Sequence, residues 1–291
     1  IVGIFANPLT DLLEYEDFSR DFLKGTDPVG MTGCIDSEKV HFISTFLGEK
    51  KVQLVVTYNE QRAREIEEDY KLFCSQVYVI PPRDLIFFSA DLQGNAIIAE
   101  RMKAFAALYQ NEAKVIITTM DALMSAAVPF EQLMSHVIKL KEGDELDLEK
   151  LKHDLTVMGY ERVGRVEEPG QFTVHGGIAD VYPLTMEVPV RIELWGDEID
   201  TIRCFEPQSQ RSMDQIECVS VFPAAEVIAD DTARRRAVGM IQNELESQLA
   251  VFKKAKEPDK AKRLREETNR ILEALGEDVV LEAPDSYISY F

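Results

Sequence analysis

Basic residues are scarce in this sequence. Lys and Arg number 32 against 52 Asp and Glu, a formal net charge of −20 at pH 7. That field repels a phosphate backbone and disfavours broad nucleic-acid binding unless a local basic patch opposes it. Cysteine and histidine are few, four of each. Cys34, Cys74, Cys204 and Cys218 form no CxxC and have no His at zinc-ligand spacing. A zinc finger is therefore excluded, and reduced thiols in a cytoplasmic protein are expected. No apolar run approaches the ~20 residues of a membrane helix. The opening stretch, Ile1 to Phe18, has neither the basic start of a signal peptide nor an initiating Met, so a piece of a longer protein is expected. What is plentiful is apolar material: 45% hydrophobic residues in 291, enough for about two domains with real cores.

Hydrophobic patterning divides the chain. Lys51–Thr57, Val77–Ile80 and Lys114–Thr119 are short β-branched runs of the buried-strand type. Between them lie helical patterns, one capped by Asn59 and running to Phe73, another over Ala96–Tyr109. Strands alternating with helices predict βαβ units and a parallel sheet. After a helix at Leu148–Met158 come consecutive strands: Phe172–His175, Ile178–Tyr182, Val188–Trp195, Glu198–Phe205 and Ile216–Phe222. Trp195-Gly196-Asp197-Glu198 predicts a tight hairpin. From Asp230 the pattern is helical, Thr232–Lys256 and Lys260–Leu275, broken at Glu257-Pro258-Asp259.

The first candidate site is Gly30-Met31-Thr32-Gly33-Cys34-Ile35-Asp36-Ser37. A phosphate-binding loop of the form GxxxxGK[ST] uses backbone amides and a Lys to neutralise phosphates, and a hydroxyl to ligate Mg²⁺. Gly30 and Ser37 are in register with that frame, but Ile35 stands where the second Gly belongs and Asp36 where the Lys belongs. Replacing a cation by an anion opposes phosphate binding, so a strand–turn–helix with Asp36 or Ser37 as the cap is the expected structure here. The Asp-Glu pairs at 144–145 and 197–198 follow Gly in polar turns and do not fit a metal-holding acidic box. His41, His136, His153 and His175 join no nucleophilic constellation, so no catalytic site and no cofactor are expected.

The second candidate surrounds the single Trp. Alternation along Val190–Trp195 puts Val190, Ile192 and Leu194 on one face and Arg191, Glu193 and Trp195 on the other. Likewise Phe172 and Val174 face in and leave His175 out. Trp and Arg are the residue types enriched at binding hot spots. Pattern alone leaves two readings open, an interface or a Trp packed under a loop or another domain. A third feature is basic: Arg234-Arg235-Arg236 and the Lys and Arg residues of 253–265. Interleaved Glu266 and Glu267, with no accompanying aromatics, favour an exposed, ion-paired helix over nucleic-acid contact.

Several of these stretches resemble one family. Gly170-Gln171-Phe172-Thr173-Val174-His175-Gly176-Gly177-Ile178-Ala179-Asp180-Val181-Tyr182-Pro183 is similar to the G-x-F-x-x-R-G-G-x-x-D-x-Y-P segment of domain 2 of UvrB and of the matching N-terminal module of transcription-repair coupling factor (Mfd). Val188–Trp195, Asp197–Asp200 and Ser209–Ser212 continue the resemblance. Pro82–Met102 and Thr118–Leu123 resemble the helicase-like half of the module. UvrB keeps an intact phosphate loop and inserts a DNA-clamping hairpin after the strand matching Val77–Ile80. Here the loop is altered, and only Pro81 to Asn95 separates that strand from the next helix. Both departures imply the coupling-factor branch, whose full-length members are far longer and carry motor and RNA-polymerase-binding domains.

The resemblance implies an α/β fold: a degenerate helicase-like parallel-sheet domain (1–128), an α+β UvrA-binding domain (129–222) and a C-terminal helical segment (223–291). It implies an adaptor that recruits UvrA in transcription-coupled nucleotide excision repair, without nucleotide hydrolysis in this segment. The docking residues carried over are Arg191 and Trp195, with His175 where the family has a second Arg. That change weakens the charge, because an unperturbed His is mostly neutral at pH 7. C-terminal domains of the same protein are implied to hold the surface until activation, with RNA polymerase and DNA met by other domains. The alternatives are an ATP-binding or a DNA-binding UvrB-like domain.

Overall fold

The computed structural model describes residues 9, 11–12, 15–25, 27–48, 52–82, 91–125, 127–228, 231–276 and 290. The chain divides into two compact units, Ile1–Asp84 with Lys103–Ser125, and Leu85–Met102 with Ala126–Phe291. The architecture is mixed α and β, as patterning predicts.

The first unit is built on three parallel strands, β1 (Gln53–Thr57), β2 (Val77–Ile80) and β3 (Val115–Thr119), in the order β1-β3-β2. The central strand is buried at every residue, the reason it reads as an unbroken apolar run. Helices α1 (Tyr15–Lys24) and α2 (Asp36–Ser44) precede β1, and α3 (Glu60–Lys71) follows it. The Asn59 side chain caps α3 by accepting from the Arg62 N–H at 2.8 Å. Ala63, Ile66 and Tyr70 of α3 then pack on Val77, Val79, Val115 and Ile117. On the opposite face Ile116 meets Ala104 and Ala107 of α4 (Asp91–Tyr109), whose residues 91–102 belong to the second unit. A short helix, α5 (Met120–Met124), ends this part and is capped by Thr119. Aromatic rings hold α1 against α2: Phe18 meets Phe42 edge-on at 4.9 Å, and Phe22 lies 4.8 Å from Phe46.

One expectation for this unit is corrected. Residues 27–35 form no strand, and α2 starts at Asp36 with Ile35 as its cap, not Asp36 or Ser37. An apolar cap supplies no oxygen of its own, and the helix start is satisfied in another way, described below. The connection after β2 that bears on a clamping hairpin includes residues 83–90, which lie outside the described residues.

After α5 the second unit continues with α6 (Phe130–Met134), β4 (Ile138–Lys141) and α7 (Leu148–Val157). A six-stranded sheet follows, from β5 (Glu161–Arg162), β6 (Gln171–His175), β7 (Ile178–Val181), β8 (Val190–Trp195), β9 (Glu198–Phe205) and β10 (Ser212–Gln215). Its spatial order is β10-β9-β8-β7-β6-β5, antiparallel except for β5 with β6. The last strand, β11 (Cys218–Val221), leaves this sheet and pairs with β4. The inner rows Phe172–Val181–Val190–Cys204 and Val174–Ala179–Ile192–Ile202 face Leu151, Leu155 and Met158 across one apolar core. Two long helices follow, α8 (Asp231–Ala255) and α9 (Pro258–Gly276). Lys256 in the left-handed region (φ 57°) and Pro258 at the first helical position turn one into the other. Ala233, Ala237 and Ile241 pack against Ile271 and Leu272, while Lys260–Glu257 (3.0 Å) and Lys262–Glu266 (3.9 Å) pair on the outside.

Candidate docking surface and the altered phosphate loop

The side chains between the inner rows form the outer face of the six-stranded sheet. Register sets them in two rows, Thr173–Asp180–Arg191–Arg203–Gln215 and His175–Ile178–Glu193–Thr201. All three predicted docking residues lie on this face. Trp195 sits at the tip of the β8–β9 hairpin, 84% exposed, opposite Glu198. The hairpin turns through Gly196 at φ 67°, as its sequence predicts. Pairing shifts by one residue between Glu193 and Leu194, so Leu194 meets Ile199 on the core side while Trp195 and Glu198 stay outside. The loop before α7 braces the tip: the Leu146 N–H donates to the Asp197 carbonyl at 2.8 Å, and Gly143 and Asp144 bond to Ile199 at 2.9 Å each. The aromatic is thus held exposed on a braced turn.

Arg191 is held differently. Its Nε and Nη2 donate to the two carboxylate oxygens of Asp180, each at 2.7 Å, and its Cζ lies 4.8 Å over the Phe205 ring. Asp180 is buried and Arg191 retains 22% side-chain exposure. The Asp180 hydrogen bond also raises the guanidinium pKa above its ordinary value, so the charge is permanent. Phe205 in turn packs with Val166 and Tyr182, a small cluster on the outer side. Arg191 therefore anchors its own surface as well as facing outward. His175 is exposed at the β6–β7 turn and pairs across it with Ile178, itself an exposed apolar side chain. Residue pattern alone missed Asp180, Phe205 and Ile178 as members of this surface. Alternation around the Gly176-Gly177 turn is the signal that points to Ile178.

The altered phosphate loop has its own geometry. Gly33 takes φ 88°, a left-handed turn that favours glycine, just before α2. Ile35 is exposed, and its backbone N–H donates to the Glu38 carboxylate at 3.1 Å. The charged side chain of Glu38 so occupies an N–H that a phosphate would need. Asp36, in the first helical turn, lies 3.4 Å from Arg62 and 3.5 Å from Lys39. Two carboxylates complement the positive end of the helix from within the chain. Beside them opens a cleft of about 250 Å³ lined by Lys39, Val55, Thr57 and Tyr70. Gly30 and Ser37 are exposed, and Ser37 sits on the first turn of α2.

Residues 138–226, which carry this outer face, match the family model of the UvrB interaction domain. Over 231 residues the chain is 34% identical to the transcription-repair-coupling factor of Staphylococcus haemolyticus, covering 78% of this chain and 19% of that protein. It is 31% identical over 246 residues to that of a Staphylococcus epidermidis strain (84% and 20%) and 29% identical over 291 residues to that of Bacillus subtilis (98% and 24%). Over those spans the chain is similar to the transcription-repair-coupling factors. It covers about a fifth to a quarter of the length of the curated relatives it matches. Every residue of the two outer rows, and the Trp195 tip, falls inside the UvrB interaction domain. The altered phosphate loop lies upstream of it. Among the described residues no helix is long and apolar enough to cross a membrane.

Proposed function

We propose that the outer face of the UvrB interaction domain is an adaptor surface that binds UvrA, and that it serves transcription-coupled nucleotide excision repair. The observation that carries this reading is Trp195. A soluble fold that leaves its only Trp 84% exposed on a braced turn forgoes one of its largest apolar side chains. Burying a Trp removes 150–250 Å² from water, a gross gain of about 4–6 kcal/mol at ~25 cal/mol per Å². Ordering and desolvation costs reduce this to the ~2–4 kcal/mol of a hot spot. Arg191 supplies a fixed cation about 13 Å along the same strand, and His175 with Ile178 extends the same face.

The segment Gly30–Ser37 is proposed to carry no nucleotide chemistry. Glu38 and Asp36 already place two negative charges where a triphosphate would bring more. Nucleotide-driven motion, RNA-polymerase contact and DNA contact are assigned to other parts of the longer relatives, whose C-terminal domains are proposed to cover the docking face until activation. The test is isothermal calorimetry of this chain against purified UvrA, wild type beside Trp195→Ala. Saturable binding by the wild type and a loss of about 30-fold or more in the variant are expected. Equal affinity of the two would remove Trp195 from the interface.

A further inference from the structure

Arg203 stands out on the outer face for what it lacks. It lies on β9, directly across from Arg191 on one side and Gln215 on the other. Arg191 holds both oxygens of the buried Asp180 carboxylate in a bidentate pair, and Arg203 makes no ion pair with it. Glu193, on the neighbouring outer row, accepts instead from the Thr201 hydroxyl at 3.3 Å, and Glu142 from the Gln215 amide at 2.8 Å. Among the described residues no carboxylate pairs with Arg203, and its Nε is buried without a hydrogen-bond acceptor. It is the one buried side-chain nitrogen or oxygen atom so left among the described residues. A buried N–H in this state destabilises the free domain, because it has given up water and gained nothing in exchange.

Resting on the UvrA reading above, we propose that Arg203 is a further docking residue of the same surface, and that a partner carboxylate pairs with the Nη end of its half-buried guanidinium, Nε itself being out of a partner's reach. The chemistry points to that group. A guanidinium fork matches a carboxylate with two parallel N–H···O bonds, and the row Asp180–Arg191–Arg203 carries a net positive charge within a strongly acidic protein. The spacing also suits one footprint. Arg191 and Trp195 are four residues apart on β8, about 13 Å along the strand, and Arg203 is one strand further, about 5 Å away. A standard interface patch of ~800 Å² spans both. Trp195 then supplies apolar area at one end and Arg203 a charge-assisted bond at the other.

The experiment compares Arg203→Met, Arg203→Lys and Trp195→Ala with wild type in calorimetric titrations against UvrA at two salt concentrations, with a thermal melt of each variant. Arg203→Met keeps the stem, removes the unpaired N–H and is expected to melt at or above the wild-type temperature. Its affinity should fall about tenfold or more and lose part of its salt dependence. Arg203→Lys, which keeps the charge but not the fork, should fall between the two. A lower melting temperature in Arg203→Met would show that the N–H has an internal partner and would overturn the proposal. So would wild-type affinity in Arg203→Met while Trp195→Ala loses binding, an outcome that leaves the UvrA reading standing. Wild-type affinity in all three variants, or no UvrA binding by wild type, overturns both.

Discussion

Removing the Arg191 side chain separates its structural work from its work at the surface. In Arg191→Ala, the buried carboxylate of Asp180 loses two charge-assisted bonds of 2.7 Å, and Phe205 loses the cation 4.8 Å above its ring. Breaking a fully buried ion pair from one side costs about 3–5 kcal/mol, chiefly for the charge left behind. Arg191 keeps 22% of its side-chain exposure, so water partly replaces it, and about 2–3 kcal/mol is the expected loss. That corresponds to a drop of roughly 5–10 °C in the melting temperature of the second unit. Urea denaturation followed by far-UV circular dichroism measures it; fluorescence is a poor probe because Trp195 is exposed in the folded state too. The double variant Arg191→Met/Asp180→Asn should recover most of the loss, since no unpaired charge stays buried. A change below about 0.5 kcal/mol in Arg191→Ala would refute the reasoning and return Arg191 to the class of free surface cations.

Other outcomes follow from the same geometry. Gly159 has φ 89°, and a Cβ there would lie 2.7 Å from the Ala225 Cβ, so Gly159→Ala should cost about 3 kcal/mol in the same urea assay. Tyr160 is buried and its hydroxyl donates to the Phe222 carbonyl at 2.8 Å; burial pushes the phenol well above its usual range. Tyr160→Phe should lose about 1–2 kcal/mol, and an unchanged midpoint would show that this bond contributes nothing. Mg·ATP at millimolar concentration should leave the melting curve unmoved, whereas a shift of several degrees would reveal a nucleotide site beside Asp36 and Glu38.

Much of the fold was legible because two periodicities are plain in the sequence. The runs at Val77–Ile80 and Glu198–Phe205 coincide with strands of the same bounds, and Asn59 caps its helix as its residue type predicts. Which residues share the outer face was legible for the same reason: a period of two decides which of Arg191, Ile192, Glu193 and Trp195 faces out. What stayed hidden depends on register between distant segments. Asp180 meets Arg191 through the β7–β8 pairing, and the connection of residues 182–189, which holds a turn at Pro183–Met186, is too long to fix that register from sequence. The pairing of β11 with β4 joins segments far apart in the chain, and β4 alternates strictly in Ile138-Lys139-Leu140-Lys141 but is only four residues long. The missing strand before Gly30 shows the opposite error, a motif frame suggesting structure that its own residues do not form.

The most direct measurement is the affinity of UvrA for this chain with Trp195 intact and with Trp195→Ala, each variant's stability measured alongside. A stability difference within about 0.5 kcal/mol, together with a binding loss of about 2–4 kcal/mol, is the predicted result. Unchanged binding in the variant, or a stability loss large enough to account for weaker binding, would contradict an exposed Trp195 acting as the anchor of the docking face.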